Sequence, residues 1–251
     1  MISAVQAEML KLRTIRLPFV LLASAAGLTA LVALLGATQA GSGPHTPPPL
    51  NTAAGLTDVL SGTGLGMLMA VVLGITICTG EFRHATATAT YLANPDRIAV
   101  LTAKTITAAL AGLLFGLVTS GVATGIGLAF VAAKGYQVAL GGITIARFAA
   151  GAVLGAGLLG AAGAGIGSLI RSQLASIIGV LAWGIVVEQV IGGLFTSVAR
   201  YLPFRAATSL AGAELGGGTP LPFAAAAALV AGVAVLISAV ASRTTLEQDI
   251  T

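Results

Sequence analysis

Residues 64–116 read GLGMLMAVVLGITICTGEFRHATATATYLANPDRIAVLTAKTITAALAGLLFG: an apolar run, an insert from Glu81 to Lys104 that holds Glu81, Arg83, Asp96, Arg97 and Lys104, and a second apolar run. At about 20 residues per crossing, each run is long enough to pass through the hydrocarbon of a bilayer as a helix. The pattern is that of two membrane-spanning helices joined by a charged segment.

Outward from this stretch the same alternation recurs. Apolar segments at about 18–38, 56–79, 105–133, 146–170, 174–197 and 222–241 predict an all-α polytopic protein with six transmembrane helices in one domain, 1–251. Pro18 suits the first turn of a helix, and the prolines Pro47 to Pro49 close off the first span. Composition agrees: 57% of residues are hydrophobic and 8% charged, against about 25% charged in ordinary soluble domains. The mean hydropathy is +1.01. A water-soluble fold is excluded, and little chain is left over for a separate soluble domain. The first span is longer than a signal-peptide core and is expected to be retained. Cys78 is alone, so no intrachain disulfide is available.

Basic residues set the expected orientation, because Lys and Arg near span ends are retained on the cytoplasmic side. With the N-terminus inside, Lys11, Arg13, Arg16, Arg83, Arg97, Lys104, Arg171 and Arg243 fall inside, and Lys134, Arg147, Arg200 and Arg205 outside. Both termini are therefore expected to be cytoplasmic. The net charge of +4 follows from this bias, and no basic run is dense enough to track nucleic acid. Before the first span, Ile2, Val5, Met9 and Leu12 recur at helical spacing while Gln6, Glu8, Lys11 and Arg13 take other faces. That pattern fits either a helix over 1–17 lying in the membrane interface or a simple anchor for the first span.

Glycines four apart, at 62/66, 112/116, 121/125, 151/155 and 163/167, put small residues on single helix faces and favour close helix contact. The run Gly163-Ala164-Gly165-Ile166-Gly167 lies inside an apolar span and not after a soluble strand, which argues against dinucleotide binding. No G-x-x-x-x-G-K-[ST] sequence is present to cradle nucleotide phosphates. The histidines, His45 and His84, belong to no Ser/His/Asp set, and Glu81 with His84 makes too sparse a set for a metal. The chain thus shows no catalytic residues, metal ligands or cofactor site of its own. Glu188, in the fifth span, is the one charge clearly at membrane depth, where insertion scales put the cost at ~2.5–3.5 kcal/mol. It reads either as the polar lining of a translocation path or as a structural ion pair with Arg147 or Arg200.

The insert Gly80-Glu81-Phe82-Arg83-His84-Ala85-Thr86, the later Asn94-Pro95-Asp96-Arg97 and the pair Ala103-Lys104 resemble the permease subunit of type-2 ATP-binding-cassette exporters, especially six-span permeases common in actinobacteria. The likeness extends to Glu8, Lys11 and Thr14 near the N-terminus, to Glu188, and to Tyr201-Leu202-Pro203 after the fifth span. It covers essentially the whole chain through loose motifs in a fixed order; Ala85 departs from the glycine often found there.

The resemblance implies a permease in the bacterial cytoplasmic membrane, paired with a second copy or close relative. Export would be powered by cytosolic ATPase subunits, which would bind ATP and Mg. The loop 80–104 would carry a coupling helix, with Phe82 as apolar anchor and Glu81, Arg83 and Arg97 around it, docked in a groove on the ATPase. The segment 198–221 would form short helices re-entering the outer leaflet; from the residues alone it is equally an interfacial loop held by Tyr201 and Phe204. Two other classes compete: an ion-coupled transporter using Glu188 as proton carrier, and a non-transporting membrane scaffold or sensor.

Overall fold

The computed structural model describes residues 2–43, 46–84, 96–212 and 220–247, together with Thr86, Thr88, Thr90, Leu92 and Asn94 of the insert. His45, Ala85, Tyr91, Pro95, Glu214 and the Gly216–Thr219 break lie outside the described residues. The described chain is all-helical and contains six helices or helix pairs long and apolar enough to cross a membrane. An N-terminal helix α1 (Ile2–Thr14) precedes the first span, α2 (Leu17–Gln39). The second span is split into α3 (Ala53–Ser61) and α4 (Gly64–Arg83), and the third is α5 (Arg97–Ala133). The fourth, α6 (Gly142–Ile170), is followed by a fifth made of α7 (Gln173–Ala182), a π-helical turn (Trp183–Val187) and α8 (Glu188–Leu194). Two short helices, α9 (Thr196–Ala199) and α10 (Pro203–Leu210), lead to the last span, α11 (Phe223–Glu247).

Hydropathy locates the spans but misplaces their ends. α4 does not stop at 79: it continues through Glu81, Phe82 and Arg83 because nothing breaks it before His84. α5 starts at Arg97, eight residues before the apolar run, because Asp96 accepts a 2.9 Å hydrogen bond from Ala99 N–H and caps it. The expected 80–104 loop shrinks to 84–96. Within it Thr88, Thr90 and Leu92 are helical, with Thr90 N–H donating to Thr86 O (3.1 Å) and Asn94 N–H to Thr90 O (3.0 Å). The second span starts at Ala53, where Thr52 accepts from Gly55 N–H, and is interrupted at Gly62-Thr63.

α4 and α6 form the centre of the bundle, with two-thirds of their most apolar windows buried, and α5 packs against both. α2, the fifth span and α11 are peripheral and turn most of their side chains outward. The centre is built on glycine. A Cβ at Gly112 would strike Ala156 O, one at Gly116 would lie 2.5 Å from Val153 Cα, and one at Gly163 would strike Val71 O. Backbones here touch, as small-residue faces permit. By contrast Gly121 and Gly125, which share the same spacing, face open space.

After the fifth span the chain turns back. α10 packs against α6 and α11, with Arg205, Ala206, Ala207, Thr208 and Leu210 buried. A Cβ at Gly151 would overlap Leu210 O, and one at Gly155 would lie 3.1 Å from Ala207 O. The segment after the fifth span is therefore inserted beside α6 and is not a loop resting on its surface.

Candidate functional site

Two polar sites stand out in this apolar bundle, one at each end. The first lies where α1, the last turn of α4 and the first turns of α5 meet. Lys104 Nζ is 2.7 Å from Glu81 Oε1 and 3.0 Å from Glu8 Oε2, and Lys11 Nζ is 2.7 Å from Glu8 Oε1 and 2.8 Å from Glu81 Oε1. Two carboxylates and two ammonium groups alternate in a closed, neutral ring. Residues up to 96 positions apart are thereby tied together, and Lys104 is only 4% exposed. Buried charges are tolerated when each is paired in this way. Burial works against the charge on Lys11, but its hydrogen bonds to Glu8 and Glu81 prevail and raise its pKa. Its contribution is present throughout the neutral range and is lost only as pH rises through that raised value.

This geometry revises several expectations. Glu8 is the buried residue of α1, on the same side as Leu12, so the face turned to the bundle is organised around an ion pair and is not purely apolar. Glu81 points into the ring and away from the surface, because Lys11 and Lys104 are the nearest counter-charges. Phe82 is half-buried, with its ring centroid 5.5 Å from the Arg171 guanidinium, and Arg83 Nη1 donates to Gln173 Oε1 at 3.3 Å. Glu81, Phe82 and Arg83 thus belong to the end of α4, joined to the α6–α7 turn, and not to a separate coupling helix. Arg97 is half-buried in the first turn of α5. Among the described residues of this region the most exposed large apolar side chain is Leu92, 81% exposed, with Ile98 in the first turn of α5 next at 49%. Sequence reasoning misses Leu92, and its signal is the pair Tyr91-Leu92 in a run of Thr, Ala and Asn.

The second site surrounds Glu188, fully buried at the start of α8. The π-helical turn just before it adds a residue to the helix and redirects α8. The Glu188 carboxylate accepts hydrogen bonds from Trp183 Nε1–H, Phe204 N–H and Arg205 N–H, each at 3.0 Å. The last two belong to the first turn of α10, where the helix presents backbone N–H groups and a negative charge is favourable. The Arg205 guanidinium donates from Nη2 to Gln189 Oε1 at 3.0 Å and occupies the space beside Gly192. Neither expected partner of Glu188 takes that place: Arg147 is exposed on α6 and Arg200 lies 4.9 Å from the Tyr201 ring. The turn at Leu202-Pro203 is the reason, since it folds the start of α10 back onto α8. Replacing Glu188 with Ala is expected to cost ~1.5–3 kcal/mol, the range for hydrogen bonds to a charged group, with a smaller loss for Gln. Hydrogen exchange at the Phe204 and Arg205 amides checks this; unchanged protection in Glu188→Ala would refute the capping role.

Among the described residues no group of His, Cys, Asp and Glu is arranged to hold a metal ion. No protein-family model matches the chain, and no curated protein matches it in sequence.

Proposed function

We propose that this chain is the permease subunit of an ATP-binding-cassette exporter, working with a second permease copy or close relative and with cytosolic ATPase subunits that bind ATP and Mg. The observation that carries the reading is the meeting of three separated motifs, Glu8/Lys11, Glu81 and Ala103-Lys104, in one ion ring at the last turn of α4 and the first turns of α5. These are among the sequence positions on which the likeness to exporter permeases rests. A ring that locks α1, α4 and α5 together makes a stiff base, so a push on the connection moves three helices at once. The exposed Leu92, and not the half-buried Phe82, supplies the apolar anchor for a groove on a soluble ATPase. Nucleotide-driven closure of the ATPases would then bias the bundle between inward-facing and outward-facing states, carrying a hydrophobic or amphipathic compound outward. In this reading the α1 end is cytoplasmic, both termini lie inside, and the membrane is the bacterial cytoplasmic one.

The test is purification of the full chain from its native membrane in mild detergent, with assay of co-purifying ATPase. Leu92→Asp is expected to reduce the retained ATPase by about tenfold or more, as loss of an interface anchor does, while the thermal midpoint of the permease stays the same. Reproducible isolation of the wild-type chain without any ATPase would overturn the proposal.

A further inference from the structure

The joint between α1, the start of α2 and the last turns of α4 borders a half-open cavity of about 740 Å³, a size that accommodates small-molecule ligands. Leu12, Leu73 and Ile77 make one wall apolar, and Leu17 and Pro18 carry that wall toward the outward face of α2. The opposite side is polar, and its accessible charges share one sign. Glu8 and Glu81 are only 9% and 12% exposed beneath their lysines, whereas the Lys11 side chain is 46% exposed and Arg83 is exposed. Lys11 donates to Glu8 and Glu81, which leaves one of its three ammonium hydrogens for the cavity. Arg83 donates one hydrogen bond to Gln173, and its guanidinium retains further donors in the fork that fits phosphate and carboxylate. Gly80 lies in the wall, and a Cβ there would meet nothing within 4 Å, so the helix itself leaves room for a guest.

We infer that this cavity binds an amphiphile with an anionic head group. The head lies on Arg83 and Lys11, and the chain lies along Leu12, Leu73 and Ile77 toward the lipid-facing side of α2. The inference rests on the cavity and stands apart from the exporter reading. Such an amphiphile comes either from the bilayer, as an anionic phospholipid, or as a free molecule taken up from solution.

The experiment uses the full chain in nanodiscs and two variants. Gly80→Phe fills the cavity from a position with open space, and Arg83→Gln removes a head-group donor without entering the ion ring. In the first arm, discs of equal phosphatidylglycerol and phosphatidylethanolamine are opened for native mass spectrometry. In the second, dodecyl phosphate is titrated into protein in discs of phosphatidylethanolamine alone. Preferential retention of phosphatidylglycerol, reduced about tenfold in both variants, assigns the site to bilayer lipid. Saturable dodecyl phosphate binding with the same loss, and no phosphatidylglycerol preference, assigns it to a free amphiphile. If neither arm separates wild type from Arg83→Gln and Gly80→Phe, the inference is overturned. The ATPase co-purification by which the exporter reading is judged does not bear on this result.

Discussion

Lys104→Met is expected to lower the stability of the purified protein by ~3–5 kcal/mol, the cost of removing one partner from a buried ion pair. For a chain of this size that corresponds to a fall of roughly 6–20 °C in the thermal midpoint. The reason lies in the groups left behind. Met fills much the same volume, so packing is nearly conserved, but Glu8 and Glu81 are left sharing Lys11 alone in a setting where their side chains are 9% and 12% exposed. The control is Lys134→Met, at an exposed position beyond the far end of α5, expected to change stability by less than about 0.5 kcal/mol. Adding Glu8→Gln to Lys104→Met removes the surplus negative charge and is expected to recover ~0.5–3 kcal/mol, the range of coupling between contacting residues. Equal midpoints for Lys104→Met and Lys134→Met would show that the ring does not hold α1 to the bundle.

The ring also shows where sequence reading stops. Glu81 and Lys104 are visible as charges bordering apolar runs, and a hydropathy reading takes such charges as the edge of a loop. The helices α4 and α5 in fact run through them, because each charge meets its counterion on another element and so need not reach water. Nothing local in the sequence pairs Glu8 with Lys104. The Glu8/Lys11 spacing of three is legible as a same-face pair, yet a charged pair is ordinarily solvated, and nothing in α1 alone turns it toward the bundle. Glu188 is legible as an anomaly for the opposite reason: a charge among Val and Ile has no cheap explanation. Its partners are not legible: they are backbone N–H groups brought close by a π-turn, which has no clear sequence signature, and by a reversal at Leu202-Pro203, where the proline marks a turn but not the element it folds onto. The spans themselves are plain, because the bilayer demands long apolar helices.

Glycine substitutions are expected to divide sharply by position, although the sequence presents them alike. Gly74→Ala puts a methyl group against Gly160 O and 2.9 Å from Ala164 N, where α4 crosses α6 at the centre of the bundle. Both are backbone atoms, so no rotamer change relieves the clash and the two helices must separate. The expected loss is ~1–3 kcal/mol or more, the cost of overpacking a filled core, and Gly74→Leu is expected to yield no folded protein. Gly121→Ala, on α5 with open space around it, removes the flexibility of a helical glycine at no steric cost and is expected to leave stability unchanged or raise it by about 0.5–1 kcal/mol. Thermal midpoints of Gly74→Ala and Gly121→Ala in the same detergent, with the yield of folded Gly74→Leu, decide the matter. The comparison separates packing from composition: in a chain with 34 glycines, four-residue spacing arises often, and only those glycines whose missing Cβ admits a neighbouring backbone hold the helices together. A loss in Gly121→Ala as large as that in Gly74→Ala would mean that glycine acts here through helix flexibility and not through contact, and the α4–α6 crossing would lose its standing as the centre of the fold.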